Sequence, residues 1–222
     1  PHTIPRMSER TLSARIDRFR DSGAVLTAYF RRLMTPPLPG DGLLLVGFLE
    51  GVIGWGLSWA FINYPALAPV GPVLSIVALW TVLTAGIVFI GVAYTAPTVR
   101  RNRVWVVWGV LNLGATLINV VTVAGVLPPS WTVYGYWHPW FLVIGLGYLV
   151  TAFDNWESPQ LRRQERIVYA LSGAATLLLL AVSVLGVTSL VLANVFLIGG
   201  AIQLVPIGHD VVADAVLIAR RQ

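Results

Sequence analysis

The chain has 222 residues, 56% of them hydrophobic and only 11% charged, with a mean hydropathy of +0.76. Soluble domains carry about 25% charged residues, so a soluble globule is excluded and a membrane class comes first. The net charge is +5, cysteine is absent and all fifteen basic residues are arginine, which excludes disulfides, thiol catalysis, Cys-ligated metals and Schiff-base chemistry on a lysine. Arginine in place of lysine throughout points to a GC-rich prokaryotic genome.

Residues 1–40 form a basic arm that holds seven of the fifteen arginines. Ser8 is placed to cap a helix from Glu9 to about Asp21, with Leu12, Ile16 and Phe19 on one face. A second piece, Ala24 to Met34, carries Val25, Ala28, Tyr29 and Leu33. A basic amphipathic helix beside a membrane span lies in the interface, its arginines toward anionic headgroups. Pro36, Pro37 and Pro39 end the arm, because proline does not continue a helix.

Six apolar segments follow, at about 42–62, 73–96, 104–127, 137–153, 167–187 and 189–208. Each is long enough, at about 1.5 Å per residue, to cross a hydrocarbon core about 30 Å thick. The last two form one apolar stretch broken near residues 186–189, read as a tight hairpin. The predicted fold class is therefore all-α: a polytopic helical membrane protein with six transmembrane helices and an amphipathic interfacial N-terminal helix. Its parts are the arm (1–40), the transmembrane domain (41–209) and a short tail (210–222).

Charge alternates along the connections. The arm is basic, 63–72 is uncharged, and Arg100, Arg101 and Arg103 follow the second segment. Residues 127–137 are uncharged, Arg162, Arg163 and Arg166 precede the fifth segment, and Arg220 and Arg221 follow the sixth. Cytoplasmic loops collect arginine, so both termini are expected inside a prokaryotic cell membrane. The same placement explains the net charge by topology, and no nucleic-acid partner is expected. Trp105 and Trp108 at one interface, and Trp131, Tyr134, Tyr136, Trp137 and Trp140 at the other, read as aromatic belts.

Glu50 is the one carboxylate well inside an apolar segment. It lies eight residues past Gly42, roughly 12 Å into the bilayer, where a charge costs about 2.5–3.5 kcal/mol. Asn112, Thr176 and Gln203 fall at comparable depth and form a candidate intramembrane polar site with it. Asn119 and Asn194 form a second polar layer. Two readings stand open: the polar groups hold helices together, or Glu50 titrates and gates or couples a proton or cation. Gly47, Gly51, Gly54 and Gly56 flank the acid and permit close helix approach, with Gly145/Gly147 and Gly199/Gly200 as complementary surfaces.

His2, His138 and His209 are too far apart to form a metal site, and His138 and His209 fall nearly a bilayer apart, too far to share a haem. A haem on a single His ligand stays open, and the sequence names no cofactor. His209, Asp210 and Asp214 form a weaker candidate group at the inner surface. No P-loop, dinucleotide fingerprint or HExxH motif is present. The leading reading is a non-enzymatic binding, sensing or accessory subunit of a homo- or hetero-oligomeric membrane assembly. The alternatives are a small channel or carrier with a path past Glu50, and an intramembrane lipid-modifying enzyme.

Overall fold

The computed structural model describes residues 23–154, 162–185 and 194–220, the last seven of them by backbone alone. The helix predicted from Glu9 with its Ser8 cap, and the hairpin predicted at 186–189, lie outside the described residues. The helices are α1 (23–33), α2 (Gly40–Asn63), α3 (Pro72–Ala93), α4 (Pro97–Arg100), α5 (Arg103–Val123), α6 (Pro129–Thr132), α7 (His138–Asp154), α8 (Arg163–Val184) and α9 (Val195–Arg220). Among the described residues, α2, α3, α5, α8 and α9 are long and apolar enough to cross a membrane. Large apolar side chains cover their outer faces, for example Val82, Leu117 and Leu178, each at least 63% exposed. That surface is stable against lipid and not against water, so the chain is an all-α polytopic membrane protein.

The six long elements pack in chain order. α2 rests on α3, α3 on α5, α5 on α7, α7 on α8, α8 on α9, and α9 returns onto α2. Charged residues flanking these helices gather at one end of the bundle, here the basic end, where Arg103 of α5 lies 3.5 Å from Asp154 of α7. α7 is the shortest of the six, yet eleven of its 17 residues are buried, against four of 22 in α3. It leans into the ring. Phe141 meets Trp55 of α2, Trp140 meets Trp80 of α3, and Tyr148 reaches the backbone of α9.

Local chemistry sets the helix ends and explains where hydropathy misplaced them. α5 stops at Val123, not near 127, because Gly125 takes a left-handed turn at φ 70°. Val126 N–H then donates to Val121 O and Gly125 N–H to Thr122 O, a Schellman closure. At its start, Asn102 accepts from Val104 N–H at 2.9 Å, an N-cap. α3 opens on Gly71 at φ 87° followed by Pro72 at the first helical position. α8 begins at Arg163, a turn before the predicted 167, because the Glu165 carboxylate accepts from Arg162 N–H at 2.7 Å. α9 does not end near 208 but continues helically through Pro206 to Arg220.

Glycines on the helices receive tryptophans from their neighbours. A Cβ at Gly54 would lie 2.7 Å from the Trp80 ring, one at Gly147 2.6 Å from Trp108, and one at Gly199 2.9 Å from Trp55. α7 and α8 cross at glycine, where a Cβ on Gly173 would lie 2.9 Å from Gly145 O. Each core indole also donates to a side chain on another helix. Trp80 donates to Ser58 at 3.0 Å, Trp108 to Thr151 at 3.0 Å, Trp140 to Asn119 at 2.7 Å and Trp55 to Gln203 at 2.5 Å. Indole N–H groups buried in an apolar core need such acceptors. Trp108 and Trp140 are thus core residues and not members of the predicted aromatic belts. Gly51, Gly54, Gly199 and Gly200 are likewise occupied inside the chain, with Gly51 facing Leu204 and Gln203. Gly54→Leu is expected to destabilise by about 1–3 kcal/mol through overpacking against Trp80, read as a lowered unfolding midpoint in detergent. Gly56→Leu serves as its control, since a Cβ there meets nothing within 4 Å.

Candidate functional site

A cavity of about 440 Å³ lies in the half of the bundle nearer the basic end. Three of the four residues expected to share a polar site line it: Glu50 from α2, Asn112 from α5 and Gln203 from α9. Helical spacing explains the convergence. Leu43, Gly47 and Glu50 form one stripe of α2, and Gln203, Ile207 and Asp210 form one of α9, each spaced i, i+4, i+7. Gly109 and Asn112 lie three apart on α5. The fourth expected member, Thr176, is elsewhere. It is fully buried, and its hydroxyl donates to Ser172 O of its own helix at 2.7 Å.

The polar groups are set in fixed directions. The Asn112 amide donates to Trp108 O at 2.8 Å, which leaves its Oδ1 for the cavity. Gln203 Oε1 accepts from Trp55, so the amide nitrogen is its remaining donor. The backbone oxygen of Gln203 also accepts from the Tyr148 hydroxyl. This contact sits one turn before Pro206, which has no N–H to offer the Ile202 carbonyl. Tyr169 donates to Asp210 Oδ2 at 3.0 Å, and its ring lies 5.2 Å from that of Tyr148. Glu50 differs from all of these: its Oε1 is buried with no hydrogen-bond partner among the described residues.

The cavity has two openings and one closed end. Exposed Asp41 and Arg100 stand at the basic end. Val92 of α3 and Val106, Val110 and Leu113 of α5 also line it, although each is half or more exposed, so it opens sideways between α3 and α5. Those two helices meet beyond the slot, where Thr116 donates to Thr84 at 3.1 Å. Toward the other end the core closes over with Trp55, Trp80, Trp140 and Phe141, whose rings are 4.5–6.3 Å apart in successive contacts. Arg100 is the only basic residue among the described lining.

The remaining sequence candidates are dispersed. Asn119 is buried and structural. Its amide donates to Gly135 O and Tyr136 O at 2.6 Å each and accepts from Trp140, tying the 133–137 loop to α5. Asn194 is exposed just before α9 and does not share that environment. His209 is exposed while its neighbour Asp210 is buried in the cavity wall, because adjacent helical residues point about 100° apart. The Asp214 side chain and His2 lie outside the described residues. His138 is buried, stacks on Trp137 at 3.8 Å and lies 3.1 Å from Ser183. Among the described residues no group of three metal-ligating side chains occurs.

Sequence assigns neither Tyr148 nor Tyr169 to a site, and it groups Asp210 with His209 and Asp214 at the inner surface, not with Glu50. For Asp210 the available signal was its i+7 spacing from Gln203. For Tyr148 it was a mid-helix position, too deep for an interfacial ring. No known protein family, curated protein or solved structure matches the chain.

Proposed function

We propose that the protein is a non-enzymatic, membrane-embedded binding or sensing subunit whose ligand occupies the cavity at Glu50. The observation that carries this reading is a buried carboxylate oxygen without a partner among the described residues, lining a cavity open to both the bilayer and the basic end. Burying such a group costs several kcal/mol unless it is paired, and a bound ligand would supply the pair. A structural role for Glu50 would leave the carboxylate bonded to a neighbouring helix, as Asp210 is to Tyr169.

The six-span topology belongs to the same proposal. α7 is the sixth crossing segment, kept short by the protein packed around it, and the arginines at the basic end put both termini on the cytoplasmic side. The arm at 1–40 rests on anionic headgroups, and the subunit works in a homo- or hetero-oligomer. The aromatic closure beyond Gln203 disfavours an open channel past Glu50. The divergence of His209 from Asp210 disfavours a lipid-modifying centre at the basic surface.

The absence of cysteine makes a direct test clean. Gly109 lines the cavity, and a Cβ there meets nothing within 4 Å. Gly109→Cys in protein reconstituted into nanodiscs is expected to react with a cationic, water-soluble thiosulfonate at least tenfold faster than Gly56→Cys, which lies outside the cavity. Equal inertness of the two positions would mean that the cavity is closed to ligand and would sink the proposal.

A further inference from the structure

We infer that the ligand is a single-chain amphiphile with a primary-amine headgroup, its ammonium held at Glu50 and its alkyl chain in the slot between α3 and α5. This rests on the reading of the cavity as a binding site and names the chemistry it accepts.

The headgroup follows from what the cavity offers. Glu50 Oε1 has no partner among the described residues, and Asn112 Oδ1 is not taken up by its own amide's bond to Trp108. Asp210 adds a second carboxylate to the same wall. The deep groups are thus mainly acceptors, two of them carboxyl groups, and the single arginine among the described lining stands at the mouth. A phosphate or carboxylate headgroup would bring further acceptors to acceptors here. An ammonium brings three donors and a positive charge, and the Trp108 and Tyr148 rings in the wall favour a cation further.

The chain follows from the slot. Val92, Val106 and Val110 make its rim wholly apolar, and it faces the position of the lipid tails. A polar solute that entered only from the basic end would need no such opening. The volume suits an amphiphile: about 440 Å³ holds about fifteen groups of water size, at roughly 30 Å³ each. An amine with about a dozen carbons has that bulk.

The Gly109→Cys protein in phosphatidylcholine nanodiscs supplies the assay. Dodecylamine is expected to slow thiosulfonate modification at least tenfold, at concentrations where butylamine, dodecanol and dodecanoate leave it within twofold. Adding Glu50→Gln is expected to remove the protection, and Glu50→Asp to retain it. Size-exclusion chromatography of each variant confirms that the fold is intact. Equal protection by dodecanoate or dodecanol overturns the headgroup assignment, equal protection by butylamine overturns the chain, and protection that survives Glu50→Gln overturns both. A Gly109→Cys thiol that reacts freely but is never protected by the amine removes this inference alone. A thiol at that position that never reacts removes the binding site with it.

Discussion

Glu50→Leu is expected to raise the unfolding midpoint of the purified protein. The native carboxylate has an oxygen buried without a partner among the described residues, and an acid at this depth costs about 2.5–3.5 kcal/mol. Leucine removes that cost and fills part of the cavity with an apolar group, so a gain of about 1–3 kcal/mol is expected. Thermal or denaturant unfolding in mixed micelles measures it. A carboxylate that glues helices predicts the opposite sign, since removing one partner of a buried polar pair destabilises. Asp210→Asn gives the contrast within the same cavity wall: Asp210 is bonded to Tyr169, so weakening that pair lowers the midpoint. A lowered midpoint for Glu50→Leu would show that the acid is structural.

Asn119→Ala is expected to give a large loss of stability, about 2–4 kcal/mol. One amide serves three partners: the carbonyls of Gly135 and Tyr136 at 2.6 Å each and the Trp140 indole at 2.7 Å. Its removal leaves Tyr136 O and the Trp140 indole without this partner and Gly135 O with only the 3.3 Å bond from the Thr122 hydroxyl, at about 1–3 kcal/mol for each unsatisfied group before relaxation. The damage extends past the loop, because Trp140 packs on Trp80, which in turn donates to Ser58 of α2. Unfolding of the variant in detergent is expected at a clearly lower midpoint, with Asn119→Gln recovering little because the longer arm misplaces the amide.

The apolar segments were legible because lipid allows few alternatives to helices whose backbone groups are satisfied internally. Five of them emerge as long apolar helices. Their boundaries were less legible, because caps such as Glu165 on Arg162 and closures such as Gly125 are local hydrogen-bond events that a hydropathy window averages away. Of the four glycines near Glu50, Gly51 and Gly54 lie in close contact, whereas a Cβ at Gly47 would meet only Ile87 at 3.5 Å and one at Gly56 nothing within 4 Å. Only the fold showed that side chains of neighbouring helices, Trp80 at Gly54 and Leu204 at Gly51, fill those two hollows.

The site divides in the same way. Depth along a helix is linear in residue number, so sequence alone put Glu50, Asn112 and Gln203 at one level, and all three line one cavity. Thr176 shares the level but is buried elsewhere, bonded within its own helix. Azimuth and helix order are not linear in sequence. They depend on which helices neighbour which, and on the depth to which α7 sinks into the ring. Tertiary packing alone therefore brought Asp210 and the two tyrosines to the cavity and turned His209 away from it. It also left one oxygen of Glu50 buried, without a partner among the described residues, beside an apolar slot.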